Sequence, residues 1–264
     1  MKRALIIRHA APETLGSNYN EVLNQAGFNL VPVDLFDLAP DYASFPAPPL
    51  AEVSLVVALG GPLSANDDYP ALKSEMDYLK GATAQGIPVF GVCLGAQLLS
   101  RALGGRVEPT GGYQFGLRRL SITAAGDADP VFGKLRVPLV PTLHGECFSV
   151  PPEAASLAEG YILLRDGGYR RIDMAFRQGN SYGFQFEPQL TFDELEIWNR
   201  ELAGDYLLMG DRFDPQEEAA RNLREFARFA PVHEKQMRGM LWAFLETTGL
   251  LDGAKPSDLE RRSP

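Results

Sequence analysis

Gly86-Ile87-Pro88-Val89-Phe90-Gly91-Val92-Cys93-Leu94-Gly95-Ala96-Gln97-Leu98-Leu99 decides how the rest of the chain is read. After Gly86-Ile87-Pro88 comes an apolar run of strand length, and Ala96 to Leu103 has helical character. Cys93 stands at the joint, with glycine two residues before it and two residues after it. This is the pattern of a nucleophile elbow, with cysteine in place of serine. A tight reversal from strand to helix crowds its flanks, and residues without a Cβ fit there best. The geometry lifts the thiol above the sheet and sets it at a helix N-terminus, where partial positive charge favours thiolate. A small buried structural cysteine is the plainer alternative. The glycines on both sides favour the nucleophile position.

Outward from this stretch, strands alternate with helices. Lys2 to Ile7 reads as a first buried strand, Phe28 to Leu35 as a second and Val53 to Leu59 as a third. Ser17 is placed to cap a helix over Asn18 to Gln25, closed by Gly27. A helix is expected from Pro70 to Ala84, and Ala39 to Pro49 reads as an irregular connection. The third strand ends in Gly60-Gly61-Pro62-Leu63-Ser64, a turn that leaves bare backbone N–H groups at the strand's C-terminal end. Such alternation makes an α/β fold, a mostly parallel sheet flanked by helices, with ligands beyond the strand C-termini.

From Val107 to Gly183 the segments are shorter and strand-like: Leu117–Thr123, Leu139–Leu143, Tyr161–Leu164 and Met174–Gln178, with Ser181 to Phe186 as the last. Beyond Leu190 the chain reads as three helices. They are Asp193–Leu208, one opened by Asp214-Pro215-Gln216-Glu217, and Val232–Thr247 with an apolar stripe. This gives one domain over 1–190 and a helical C-terminal extension over 191–264 packed on it, frayed from Asp252. The stripe reads as packing or as subunit contact, a homodimer being one assembly it allows.

The 264 residues carry a net charge of -9, with no basic stripe, which argues against nucleic acid and anionic membranes as partners. The apolar start breaks at Arg8, too early for a signal peptide, and no run approaches a membrane span. Two cysteines, one of them in the elbow, fit a reducing, cytoplasmic setting. Gly-Gly-Pro lacks the spacing of a phosphate loop, and no cofactor or metal is expected.

Taken in order, several motifs make the chain resemble the class I, or triad, glutamine amidotransferases. They are Gly60–Ser64, Gly91–Leu99, Leu103-Gly104-Gly105-Arg106-Val107, Leu143-His144-Gly145-Glu146 with Val150-Pro151-Pro152, Ala175-Phe176-Arg177, and Tyr182–Gln189. The resemblance spans about Leu5 to Gln189 and is nearest to the stand-alone bacterial type with a helical extension. It implies a flavodoxin-like domain that hydrolyses the amide of glutamine or a γ-glutamyl compound. Cys93 would attack the carboxamide and form a thioester. The N–H groups of Gly61 and Leu94 would hold the oxyanion, a donor of this kind being worth roughly 2.7–4 kcal/mol, and Gly60 would belong with them to the substrate-binding residues. Gln97 (by itself an ordinary exposed helix residue), His144 and Gly145 would hold the substrate's amino-acid end. No synthetase motif is present, so ammonia would pass to a separate synthetase subunit or be released.

The resemblance breaks at its last motif. Where the family has histidine and then glutamate, this chain has Glu187 and Gln189; Gln114 stands where glutamate is more frequent. Moving the Cys93 proton to an ordinary glutamate is uphill by about 4 pKa units, roughly 5–6 kcal/mol. An ionised Glu187 would also repel a thiolate and give no proton to a leaving amine. Loss of a triad member typically costs about 10³-fold or more. The chain therefore reads as a weakened amidase. The alternatives are a non-catalytic binding homologue, or Cys–Glu thiol chemistry like that of the related protease-like and chaperone superfamily. Of three histidines, His233 reads as surface and His9 as a turn residue near the cleft rim. That leaves His144 as the candidate substitute base, although a structural role is favoured for it. Cys147 reads as a small buried residue.

Overall fold

A computed structural model describes residues 2–251; the expected fraying from Asp252 lies outside them. The elements in order are β1 (Lys2–Arg8), α1 (Gly16–Gln25), β2 (Phe28–Asp34), β3 (Leu55–Ala58), α2 (Pro70–Ala84), β4 (Val89–Val92) and α3 (Leu94–Ala102). They continue with β5 (Val107–Arg119), β6 (Ser121–Ile122), α4 (Ala124–Ala128), β7 (Leu139–Phe148), β8 (Ala155–Leu163) and β9 (Tyr169–Gln178). Last come β10 (Ser181–Phe184), α5 (Phe192–Glu201) and α6 (Pro215–Thr247).

The main sheet runs β2-β1-β3-β4-β10-β9-β8-β6. Its β2/β1, β1/β3, β3/β4 and β4/β10 pairs are parallel, and the rest are antiparallel. The strands β5 and β7 form a separate antiparallel ribbon. The central strands are buried on both faces, which is why they read as unbroken apolar runs. Along β1, Ala4 and Ile6 enter one core layer with Tyr19, Phe90, Phe184 and Phe244, while Leu5 and Ile7 enter the other with Leu72, Leu79, Leu98 and Leu99. The chain leaves β1 for β2 on one side and returns to β3 on the other. Loops beyond β1, β3, β4 and β10 therefore converge at one crevice.

Three local expectations are corrected. Ser17 does not cap α1: the helix starts at Gly16 in the left-handed region (φ +67°), and Thr14 Oγ1 takes the Gly16 N–H at 3.1 Å. The first tail helix stops at Glu201, and Ala203–Met209 is wound as 3-10 turns. The second and third tail helices are one 33-residue helix, α6, with Pro231 inside it. An interior proline costs about 3 kcal/mol, but α6 is clamped on both sides of it. Phe226 packs with Trp198 and Tyr206, while Met237 through Leu245 enter the layer shared with β1 and β4. Asp214 caps the helix as its sequence implies, Oδ1 accepting from the N–H groups of Gln216 and Glu217 at 2.9 Å each. Among the described residues no helix is long and apolar enough to cross a membrane.

Candidate active site

Cys93 lies between β4 and α3 at φ +47° and ψ -109°, a region costly for a residue with a Cβ. The joint holds it there. The Cys93 N–H donates to Phe184 O at 2.8 Å, and the Gly95 N–H donates to Leu59 O at 3.1 Å. The flanking glycines are required by space. A Cβ on Gly95 would sit 2.1 Å from the Ala58 carbonyl oxygen, and one on Gly91 would sit 3.0 Å from the Ala96 backbone. The thiol is buried, donates to Leu143 O at 3.5 Å, and faces a cleft of about 480 Å³ that also meets Gly61, Gln97, His144 and Gly145.

Glu187 is fully buried beneath the thiol and is near enough to compete for its proton. Its Oε2 accepts from Gln189 Nε2 at 2.9 Å, and its Oε1 has no well-formed hydrogen bond. Burial pushes the Glu187 carboxyl up to about 7, against hydrogen bonds from Gln189 and Cys93 that pull it down. Burial first, then repulsion from Glu187 and Glu13, raises the Cys93 thiol well above its ordinary value; the Leu94 N–H opposes this. The expectation of an ordinary, fully ionised Glu187 is thus corrected. In a dry site the carboxyl holds its proton well above the ordinary carboxylate range.

Gln97 is buried rather than exposed, because α3 turns it into the cleft wall. Its Nε2 donates to Glu146 O at 3.2 Å and to Gln185 Oε1 at 3.3 Å. Gln185 in turn donates to Cys93 Sγ at 3.7 Å. Ser64 Oγ donates to Glu146 Oε2 at 2.8 Å, tying the turn after β3 to β7, the strand in which His144-Gly145-Glu146, expected as a loop, lies. His144 Nδ1 pairs with Glu146 O at 3.0 Å, and Nε2 has no partner. Burial, with repulsion from Arg118, lowers His144 to about 4, so the ring is neutral at pH 7. The titratable groups that act on the thiol are the carboxyls of Glu187 and Glu13; His144 is not among them. Gln114 is also buried and donates to Tyr161 O at 2.6 Å.

His9 is not at the rim. It is buried, with Nδ1 3.0 Å from Leu59 O and Nε2 2.9 Å from Glu75 Oε2. Burial, the largest single influence, lowers its proton affinity, but the Glu75 charge, the Glu75 hydrogen bond and the Leu59 and Gly60 backbone together outweigh it and the net shift is upward. A Cβ on Gly61 would fall 2.4 Å from His9 Cβ, so His9 backs the turn after β3. His233 is likewise not on the surface. It is fully buried among Phe226 and Phe229, and burial lowers it to about 3.

Glu13, Gln185 and Asp205 were given no role by the sequence reading. Glu13 follows β1 through Ala10-Ala11-Pro12, a stretch with no motif, and packs on Gly60, whose Cβ would sit 2.9 Å from Glu13 Oε1. Asp205 arrives from the turns after α5 and accepts from the Tyr113 hydroxyl at 2.6 Å. Gln185 lies inside the Tyr182–Gln189 motif, which offered a signal. Glu13 and Asp205 offered none.

A family model described as "Glutamine amidotransferase class-I" matches residues 17–196, about two thirds of the chain. The chain belongs to the class I glutamine amidotransferase family. This amidotransferase chain is 29% identical over 226 residues to the glutamine amidotransferase-like protein YfeJ of Salmonella typhimurium, covering 81% of this chain and 86% of that one. It is 27% identical over 150 residues to one subunit of the glutamine-hydrolysing GMP synthase of Sulfolobus acidocaldarius, covering 56% and 73%. Among solved structures, a glutamine amidotransferase from Thermotoga maritima superposes with a TM-score of 0.74 at 25% identity, over 93% of this chain and 98% of that one. One from Methylobacillus flagellatus gives 0.76 at 22% identity, over 93% and 95%, and shares the fold.

Proposed function

We propose that this amidotransferase homologue binds a carboxamide ligand, glutamine or a γ-glutamyl compound, in the cleft at Cys93 and hydrolyses it slowly through a thioester. The observation that carries the reading is the strained Cys93 backbone, φ +47° and ψ -109°, at the wall of a cleft that Gly61 also lines, with the Leu94 N–H near the thiol. Strain of this kind persists where the surroundings over-determine it, and it clusters at working sites. The thiol proton passes to the Glu187 carboxylate as sulfur bonds to the carbonyl carbon. Glu187 then gives that proton to the leaving amine, and water cleaves the thioester to acid and thiol. Proton transfer from Cys93 to Glu187 leaves the pair with the same single negative charge, so the thiolate forms without a second charge being buried beside it. Burial of that charge near Glu13 keeps the step uphill and the enzyme slow.

The Glu187–Gln189 hydrogen bond favours a second reading, a non-catalytic amino-acid-binding homologue, because it fills the place of the family's histidine and glutamate with groups that hold each other. A role for the chain beside a separate synthetase partner draws support from the GMP synthase relative, itself one subunit of a glutamine-hydrolysing enzyme. Two free cysteines support a cytoplasmic setting. The division into a domain over 1–190 and an extension over 191–264 stays part of this proposal. Glutamate release from glutamine, lost on Cys93→Ala, with labelling of Cys93 by a chloroketone analogue of glutamine, is the result expected. Stabilisation by glutamine without release or labelling would establish the binding reading instead.

A further inference from the structure

The charge on the cleft walls is one-sided. Glu13, Glu146, Glu201 and Asp205 line it, and no lysine or arginine does among the described residues. Two of the nearby carboxyls are already engaged: Ser64 donates to Glu146, and Glu194 accepts from Thr191. Glu13 is not. It is 5% exposed, it presses on Gly60, and its Oε2 has no hydrogen-bond partner. A buried carboxyl without a partner is costly, and it is tolerated where a ligand supplies the missing donor. Asp205 faces the same cleft with one oxygen held by Tyr113. No described group of three carboxylate, histidine or thiol side chains is arranged to hold a metal ion, so the matching donor is an organic cation.

We propose that the cleft selects a carboxamide ligand of net positive charge, its ammonium group held by Glu13 and Asp205. The carboxamide part rests on the reading given under Proposed function; the cation site does not. A free carboxylate on the ligand meets four acidic walls and no base, so an amide whose carboxyl end is masked fits better than free glutamine. Burial first, then repulsion from Glu187, Glu194 and Asp205, raises the Glu13 carboxyl well above the ordinary carboxylate range, and an ammonium group in the cleft would offset both by favouring its ionised form.

Calorimetric binding to the full chain tests this with four probes: glutaminamide (charge +1), glutamine (0), N-acetylglutamine (-1) and 1-aminobutane (+1, no amide). Glutaminamide is expected to bind about tenfold or more tighter than N-acetylglutamine, as a charge-assisted hydrogen bond implies. Glu13→Gln and Asp205→Asn should each shrink that ratio to within about threefold. If Glu13→Gln does not fold, Asp205→Asn decides. Equal or tighter binding of the anion, a ratio that survives in the folded variants, or no binding of any probe overturns the proposal. Binding of 1-aminobutane as tight as glutaminamide supports the cation site and overturns the carboxamide reading.

Discussion

Gln189 Nε2 donates to Glu187 Oε2 at 2.9 Å; both side chains are sealed from solvent, and Glu187 stands next to the Cys93 thiol. In this family those two positions carry a base and the carboxylate that orients it. Here an amide orients an acid. The scaffold around them is retained, since the elbow, the Gly60-Gly61 turn and the Gln97 wall all meet at the same crevice. The double variant Glu187→His, Gln189→Glu should therefore raise glutamate release from glutamine by about 10³-fold over the wild type, the usual worth of a triad member. Glu187→His alone should gain much less. An unchanged rate in the double variant, with the fold intact, would mean that the crevice no longer seats glutamine.

The price of the buried acid is a stability that falls with rising pH. Glu187 moves from its ordinary 4.5 up to about 7 in the folded chain. Between those values the folded state holds a proton that the unfolded state has lost, so stability declines through this window and is level above it. A rise of that size corresponds to about 3 kcal/mol. Glu187→Gln keeps the shape and still accepts from Gln189. Its denaturation midpoint should exceed the wild type's at pH 8 and match it near pH 4, as urea titrations at the two pH values would read.

Thiol reactivity follows from the same pair. Cys93 is raised by burial and by Glu187 and Glu13, so iodoacetamide should modify it slowly at pH 7, with a rate still climbing in alkali. Glu187→Gln removes one repulsive charge and should move the midpoint of the rate profile down. Cys147, which burial raises to about 11, gives an internal comparison in the same mass spectrum. A fast reaction at pH 7 in the wild type would contradict this account of the pair. Peroxide treatment distinguishes the Cys–Glu thiol chemistry: a stable sulfinate on Cys93 would favour it.

Local geometry was legible in the sequence where a backbone requirement constrains residue type. Gly91 and Gly95 flank Cys93 because a Cβ at either would meet backbone, and Pro70 at the first turn of α2 marked its start. What was hidden depends on distant partners. His233 looked solvent-facing because a lone histidine in a polar helix carries no sign of the aromatic layer that covers it. Pro231 looked like a break because propensity ignores the packing on both sides of it. Glu13 and Asp205 join the site from a motif-free turn and from the tail, far apart in the chain, so only the fold brings them together.

Gly95→Ala should be among the most damaging single-atom additions. Its Cβ would overlap the Ala58 carbonyl at 2.1 Å, in backbone that cannot yield without disturbing both β3 and the Gly60-Gly61 turn. Overpacking of this sort costs roughly 1–3 kcal/mol and more where backbone is struck. Thermal melts should show a clear loss relative to Gly204→Ala, where nothing lies within 4 Å of the added atom. Equal melting points would mean that α3 can slide on β3.

Acid sensitivity should be traceable to His233. The Leu190 carbonyl lies near its ring, yet neither ring nitrogen makes a well-formed hydrogen bond, and burial lowers the group from 6.5 to about 3. The ring is neutral in the folded chain at pH 5 and charged in the unfolded one. Its contribution to stability is complete above pH 6.5 and is lost as pH falls toward 3, at most about 5 kcal/mol over the window. His233→Leu removes a titrating group and two unsatisfied nitrogens while filling similar space between Phe226 and Phe229. The variant's advantage over the wild type should be larger at pH 4.5 than at pH 8 in denaturant titration. His144, lowered to about 4 by the same burial, remains in both proteins and sets the residual slope. An acid limb that is the same with and without His233 would assign the whole of it to His144.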